Sequence, residues 1–124
     1  MGLFNLGDFT LHSGQKSEWI IDCNALTEED LECLAKMAME RLRPFGQTIG
    51  IPRGGIRFMR ALREYCSPDS DALLIVDDVY TTGQSLRNMH DHYYTIFPSI
   101  QGIVIFARNP IKEPWIKAIW MNCP

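Results

Sequence analysis

The order of apolar and polar positions along the chain predicts buried strands that alternate with amphipathic helices. Four short apolar runs predict core strands near 47–51, 72–77, 102–107 and 116–121. The run that begins at Leu73 is unbroken, which is typical of a strand covered on both faces of a parallel sheet. The pattern therefore predicts an α/β fold, with a mostly parallel sheet of four to five strands and helices on both faces.

Helical spacing of apolar residues predicts three helices. The first has Thr27 as its N-cap and acidic residues in its first turn, and we expect it to end at Pro44. A second helix of about ten residues begins at Ile56, and a third covers Gln84–Tyr94. Each helix would cover one face of the sheet.

Two further apolar runs precede the first helix. Phe9–Leu11 and Trp19–Ile21 flank the segment 12–17, which contains a Ser-Gly pair and predicts a β-hairpin. The length of 124 residues predicts a single domain. We expect residues 1–26 to form a small hood over the carboxyl edge of the sheet and residues 27–124 to form the core.

The stretch Leu73–Ser85 combines a buried strand with polar groups suited to a sugar phosphate. Two adjacent acids, Asp77 and Asp78, follow the aliphatic run, at the strand end where open α/β sheets bind ligands. The next turn precedes a helix and offers backbone N–H groups and hydroxyls to an anion. The residues of this turn are Thr81, Thr82, Gly83, Gln84 and Ser85. The stretch therefore predicts a cradle for ribose and phosphate.

This stretch resembles the phosphoribosyl pyrophosphate (PRPP) motif of the type I phosphoribosyltransferases: aliphatic strand, Asp-Asp, a hydrophobic pair, then Thr-Thr-Gly-x-Ser. The resemblance implies that Asp77 and Asp78 hold the ribose 2′- and 3′-hydroxyls and that the turn 81–85 wraps the 5′-phosphate. An ordinary βα unit, or a receiver-like domain whose acid pair binds Mg²⁺, would also contain paired acids. The Thr-Thr-Gly-Gln-Ser turn favours the phosphoribosyltransferase interpretation.

A second loop follows the strand at 47–51. Pro52-Arg53-Gly54-Gly55 would let a ligand approach the backbone closely, ahead of a helix start that favours an anion. Its position resembles that of the pyrophosphate-binding loop of the family, so Arg53, Gly54 and Gly55 are implied to bind diphosphate. Arg53 would add a charge-assisted contact. Taken alone, the same residues would be only a turn.

Residues 9–17 resemble the N-terminal segment of orotate phosphoribosyltransferases: Phe-Thr-Leu, one residue, then Ser-Gly-x-Lys-Ser. The resemblance implies that Lys16 contacts the PRPP end of the site, although a solvated lysine in a turn is an equal alternative. Arg108 follows a strand where orotate enzymes place an arginine that contacts the orotate carboxylate; a surface arginine at a strand end is the alternative. Ile20 and Ile21 stand where those enzymes commonly carry an aromatic pair, and would cover the base without aromatic stacking.

The segment from Ile56 to Ala72 is short. The family normally fits a further strand and a long flexible loop here, and closure of that loop excludes water from the charged transition state. This chain has room for one helix and a connection only. We expect catalysis that is weaker, dependent on another closing element such as a cation from a partner subunit, or absent.

The resemblance implies a Mg²⁺-dependent enzyme that transfers the 5-phosphoribosyl group from PRPP to a nitrogen base and releases diphosphate. Mg²⁺ would be held through PRPP oxygens rather than by the protein directly. The expected partners are PRPP, a nucleobase and a second copy of the chain in a homodimer. One alternative is a PRPP- or nucleotide-binding module without turnover, and another is a degenerate domain kept for dimerisation.

Net charge, apolar runs and the spacing of cysteine and histidine limit the kinds of partner that we expect. A net charge of −3 disfavours nucleic acid, which needs a basic face. No apolar run approaches the roughly 18 residues of a membrane span. The four cysteines contain no C-x-x-C pair, and neither they nor the three histidines have metal-ligand spacing. We therefore expect a cytoplasmic protein with reduced cysteines and neither a nucleic-acid nor a membrane partner.

Overall fold

The computed structural model describes residues 2–11 and 13–122. Two antiparallel strands, β1 (Phe4–Thr10) and β2 (Lys16–Ile21), form a hairpin ahead of the core. Core elements follow in the order α1 (Glu28–Met39), β3 (Gln47–Gly50), α2 (Ile56–Leu62), β4 (Ala72–Tyr80), α3 (Gln84–Tyr93), β5 (Ser99–Ala107) and β6 (Ile116–Met121). Short 3₁₀ turns cover Cys23–Ala25 and Arg63–Tyr65.

The core strands form a parallel sheet in the order β3-β4-β5-β6, as the sequence predicts. Alternate residues of β4 face the two layers. Leu74 and Val76 pack with α1 and α2, whereas Leu73 and Ile75 pack with α3 on the other face. The predicted α/β architecture, with helices on both faces and an N-terminal ribbon, is confirmed. None of the helices in the described part of the chain is both long enough and apolar enough to span a membrane.

Strand β4 is longer than its apolar run. The run predicts a strand that ends at residue 77, but β4 continues to Tyr80 because Asp77, Val79 and Tyr80 remain paired with β5. The two acids therefore lie within the last residues of the strand rather than after it. A strand backbone holds their carboxylates more rigidly than a loop would.

Helix α1 begins as predicted but ends early. The side chain of Thr27 accepts the amide of Asp30, and the side chain of Asp30 accepts the amide of Thr27, in a complete capping box. The helix ends at Met39, five residues before Pro44, so the prediction that Pro44 stops it is wrong. After Met39 the chain tightens into a turn, in which the amides of Glu40 and Arg41 bond the carbonyls of Met37 and Ala38. Farther on, the side chain of Gln101 bonds both the N–H (3.1 Å) and the carbonyl (2.6 Å) of Arg43.

The connection from β3 to β4 runs with the opposite hand to the other two. All three connections step in the same direction across the sheet, but α2 covers one face while α3 and the segment 108–115 cover the other. Two crossover connections that step in the same direction but cross opposite faces of the sheet have opposite handedness. Because nearly all parallel crossovers are right-handed, we assign the left-handed one to β3-α2-β4.

This unusual hand follows from the short segment after α2. A right-handed path over the α2 face would step outward to another strand beyond β3, but residues 63–71 contain only a 3₁₀ turn. The chain instead passes the start of β3, where the amide of Ser67 bonds the carbonyl of Phe45 and the amide of Gly46 bonds that of Ala72. The prediction that a strand and a long loop are missing here is confirmed, and β3 is left at the sheet edge.

Candidate functional site

A cleft of about 900 Å³ lies at the carboxyl edge of the sheet, between the hood hairpin and the core. Four parts of the chain line it: the hairpin and the turn after it, the loop after β3, the end of β4 with the following turn, and the end of β5. Both predicted acids and the whole turn 81–85 lie in this lining, together with Arg53, Gly54, Ile20, Ile21 and Arg108. Residues from segments far apart in sequence thus meet in one cleft.

The acids at the end of β4 are fixed by backbone amides. Asp77 accepts the amide of Asp78, and Asp78 accepts the amide of Val79, each at 2.8 Å. Burial, together with the adjacent charge of Asp78, raises the pKa of Asp77 to about 8. At neutral pH the Asp77 carboxyl is therefore protonated and can donate a hydrogen bond, while the adjacent carboxyl of Asp78 offers acceptor oxygens. A vicinal diol, whose hydroxyls both donate and accept, suits such a pair.

The loop after β3 lies against these acids. A Cβ atom on Gly54 would be 2.2 Å from Oδ2 of Asp78, so only glycine allows this approach. Arg53 is exposed and lines the cleft, and the peptide bond that precedes it is cis. Gly55 is buried behind the loop, where its N–H bonds the carbonyl of Ile51. Arg53 and Gly54 can therefore contact a ligand, whereas Gly55 shapes the loop from behind.

The turn after β4 presents unused donors. Gly83 has φ +79°, a left-handed conformation, and stands at the N-cap of α3 without a side-chain cap. The first residues of α3 line the cleft, and their amides have no helical partner. The amide of Gln84 makes only a long 3.4 Å contact to the hydroxyl of Thr82. This arrangement favours an anion such as a phosphate group.

Arg108, directly after β5, brings a buried cation to the cleft. Its guanidinium lies 3.5 Å from the ring centroid of Trp19 and donates to the hydroxyl of Ser17, which ties the hood to the core. Arg108 is only 8% exposed, and burial lowers its pKa. Among the described residues no acid forms an ion pair with it. Phe106, Ile20 and Ile21 add an apolar wall beside this buried cation.

Known proteins with a similar structure were found by comparison of the fold. No protein-family model matches the chain, and no curated protein matches its sequence. Solved structures do match: the orotate phosphoribosyltransferase of Aeropyrum pernix aligns over 97% of this chain and 88% of its own, at 20% identity and TM-score 0.77. The UMP synthase of Leishmania donovani aligns over 97% of this chain and 34% of its own, at 17% identity and TM-score 0.78. The orotate phosphoribosyltransferase of Mycobacterium tuberculosis H37Rv aligns over 97% and 90%, at 14% identity and TM-score 0.70.

The chain has the type I phosphoribosyltransferase fold. The resemblance drawn from the stretch 73–85 is confirmed at the level of the fold, including the shortened form. In this phosphoribosyltransferase fold, the strand that carries the paired acids is central, and the cleft lies at its carboxyl end.

Lys16 does not join the other predicted residues. Its ammonium group donates to the hydroxyl of Thr10 at 2.8 Å, across the hairpin, and the side chain does not line the cleft. The alternative interpretation of Lys16, an exposed lysine near a turn, fits this placement better.

The cleft contains the side chains of Asp22, Asp77 and Asp78, and carboxylate oxygens are donors that Mg²⁺ prefers. Within residues 2–11 and 13–122, no cluster of three or more His, Cys, Asp or Glu could hold a metal ion by itself. These residues therefore fit Mg²⁺ only as an ion that a bound ligand carries. Two residues considered for metal spacing, His12 and Cys123, lie outside the described residues.

Several residues of the site were not recognised in the sequence. Trp19 and Ser17 hold Arg108 but lie 89 and more positions from it, and no local pattern joins them. Cys23 lines the cleft, but burial and the nearby carboxylates of Asp78, Asp22 and Asp77 raise its pKa to about 12. The Cys23 thiol is therefore protonated and a poor nucleophile.

Proposed function

We propose that the chain transfers the 5-phosphoribosyl group from PRPP to a ring nitrogen of an acidic nucleobase and releases diphosphate. One observation carries the proposal: Oδ2 of Asp78 lies 2.2 Å from the position of a Cβ on Gly54. The acceptors for a ribose diol and the loop for a diphosphate thus adjoin, as they must for a substrate that carries diphosphate on the ribose. The phosphate-binding turn lies in the same cleft.

Each part of PRPP has a matching group. Asp77 and Asp78 would hold the ribose hydroxyls, with the Asp77 carboxyl protonated and able to donate. The amides and hydroxyls of the turn 81–85 would hold the 5′-phosphate, and Arg53 with the backbone at Gly54 would hold the diphosphate. Mg²⁺ bound to PRPP would offset the charge of the diphosphate beside these acids.

Transfer breaks the bond from the anomeric carbon to the diphosphate oxygen and forms a bond from that carbon to the base nitrogen. The sugar passes through an oxocarbenium-like state, so the chain's contribution is positioning and electrostatic stabilisation. The fixed carboxylate of Asp78 lies on the ribose side and would stabilise positive charge there. The two ends of the cleft would hold the phosphate and the base on either side of the reacting carbon.

Arg108 supports an acidic base as the acceptor. A buried guanidinium without an anionic partner is costly, and a carboxylate on the ligand would remove that cost. Several similar structures are, by name, orotate phosphoribosyltransferases. Orotate, a pyrimidine with a carboxylate, is the acceptor that this chemistry favours over an uncharged purine.

A second candidate is a PRPP-binding module without turnover. The short connection 63–71 favours it, because no segment there is long enough to close over the cleft. Incubation with PRPP, Mg²⁺ and a panel of bases separates the two candidates by release of diphosphate. Release that depends on orotate supports the transferase; PRPP binding without release for any base supports the module. The expected homodimer stays a prediction, which sedimentation would test.

A further inference from the structure

The connection between β5 and β6 is bonded to the phosphate-binding turn from behind. The amide of Arg108 donates to the carbonyl of Tyr80 at 2.8 Å, and the side-chain amide of Asn109 donates to the carbonyl of Thr81 at 2.7 Å. The amide of Lys112 adds a longer contact, 3.4 Å, to the Tyr80 hydroxyl. The segment that carries Arg108 is therefore attached to the start of the turn.

Glu113 is the centre of this attachment. Its side chain is 10% exposed and accepts the Tyr80 hydroxyl at 2.6 Å on one oxygen and the Arg87 guanidinium on the other. Arg87 also donates to the carbonyl of Thr82 at 2.9 Å and to the side chain of Gln84 at 3.1 Å. Two residues of the turn are thereby linked to a half-buried carboxylate 29 or more positions away.

The turn rests directly on this group. A Cβ atom on Gly83 would lie 2.6 Å from the Tyr80 ring and 2.8 Å from Oε2 of Glu113. Tyr80 itself is buried, with 1% exposure, at the end of β4. The left-handed conformation of Gly83, at the N-cap of α3, is thus supported by one aromatic ring and one carboxylate.

The charges behind the turn are balanced. Burial alone would raise the pKa of Glu113, but hydrogen bonds from Tyr80 and Arg87 and the charge of Arg87 lower it below its ordinary value. Glu113 is therefore ionised, and a lone carboxylate behind a phosphate site would repel the ligand. Arg87 neutralises it through a charge-assisted bond, which is stronger than a bond between neutral groups.

We propose that Glu113, Tyr80 and Arg87 form a clamp that positions the turn 81–85 for the phosphate monoester of a sugar. They are positioning residues, because they act through the backbone of the turn and not on the ligand. The identity of the ligand rests on the proposed function, whereas the clamp itself is a property of the free protein.

Two variants test the clamp. Glu113→Gln keeps a hydrogen-bond acceptor for Tyr80 but loses the ion pair with Arg87, and Tyr80→Phe removes one hydroxyl while it keeps the ring under Gly83. The matched control is Glu28→Gln, which breaks an exposed ion pair with Arg57 far from the turn. Far-UV circular dichroism and thermal melting verify that each variant is folded.

The first readout needs no ligand. The amide of Arg87 bonds the carbonyl of Gly83, so its hydrogen exchange reports the first turn of α3. We expect exchange about tenfold faster in Glu113→Gln and Tyr80→Phe, since a lost bond to a charged group is worth about this factor. The amide of Ile51, at the start of the loop after β3, bonds the carbonyl of Val76 in β4, and its exchange should not change. Unchanged exchange at Arg87 in both variants would overturn the clamp.

The second readout compares two probes. Ribose 5-phosphate reports the phosphate end of the cleft and inorganic diphosphate the loop after β3. Both clamp variants should lose about tenfold in affinity for ribose 5-phosphate and keep their affinity for diphosphate. Equal loss for both probes would mean a general structural role and overturn the clamp. If the unmodified protein binds neither probe, the proposed function fails, and the exchange of Arg87 alone decides the clamp.

Discussion

The Asp78 carboxylate lies against the backbone of Gly54, with 2.2 Å between Oδ2 and the position that a Cβ on residue 54 would take. This approach joins the end of β4 to the loop after β3. A ligand that binds the acids therefore also lies beside the loop, within reach of the charge of Arg53. The two halves of the cleft have to be treated as one site.

Replacement of Gly54 by alanine tests this junction. The added methyl group would displace either the Asp78 carboxylate or the loop, at a stability cost of about 1–3 kcal/mol. We expect PRPP affinity to fall at least tenfold, measured by calorimetry. Gly2→Ala is the control, because a Cβ there would meet nothing closer than 4.0 Å. Wild-type affinity in Gly54→Ala would show that the junction does not position the ligand.

The raised pKa of Asp77 predicts a pH dependence of stability. The folded protein holds the proton up to about pH 8, whereas the unfolded chain releases it near the ordinary aspartate pKa of 3.8. Because the folded state binds more protons between these values, the free energy of unfolding should decrease as pH rises from about 4 to about 8.

Urea unfolding of the wild type and of Asp77→Asn across this pH range measures the effect. Asparagine imitates the protonated carboxyl, so the variant should show a flatter profile, while Asp69→Asn, an exposed control, should follow the wild type. Parallel profiles for wild type and Asp77→Asn would contradict the assignment of the proton to this pair.

Arg108→Ala separates the two ends of the cleft. Loss of the guanidinium should lower the affinity for an acidic base by tenfold or more, because a charge-assisted bond is lost. The affinity for PRPP should not change. Calorimetric titrations with PRPP alone and with PRPP plus orotate give both values. An equal loss of affinity for PRPP and for orotate would contradict the assignment of Arg108 to the base.

Arg108→Lys refines the same test. Lysine keeps the charge but loses the planar stack on Trp19 and the forked geometry that suits a carboxylate. We expect intermediate orotate affinity in this variant. Full recovery would indicate that charge alone matters at this position.

The parts of the site that the sequence predicts are local. The strand, the acids and the turn of residues 73–85 follow one another directly, and their spacing alone predicts a sugar-phosphate cradle. The glycines at 54 and 55 are also visible as a loop before a helix. Their different roles, one facing the ligand and one packed behind, depend on Asp78 and Ile51 and could not be assigned from the loop itself.

The parts that were missed depend on contacts between distant segments. The segment after α1 is held at Arg43 by Gln101, and the orientation of Arg108 is set by Ser17 and Trp19. Glu113 looks like an ordinary loop acid in the sequence, yet it pairs with Tyr80 and Arg87. The missing strand was predicted from the short segment 56–72. The left-handed connection that results could be recognised only once the order of the strands and the face covered by each helix were known.

The most direct test of the central claim, that the cleft is a PRPP cradle built on the β4 acids, is calorimetric titration of PRPP with Mg²⁺ into the wild type and Asp78→Asn. Asparagine keeps the size of the side chain and an oxygen for the Val79 amide, so the fold should persist while the charge is lost. We predict saturable binding to the wild type and affinity at least tenfold lower in Asp78→Asn. No binding at millimolar PRPP, or equal affinity in the two proteins, would contradict the account.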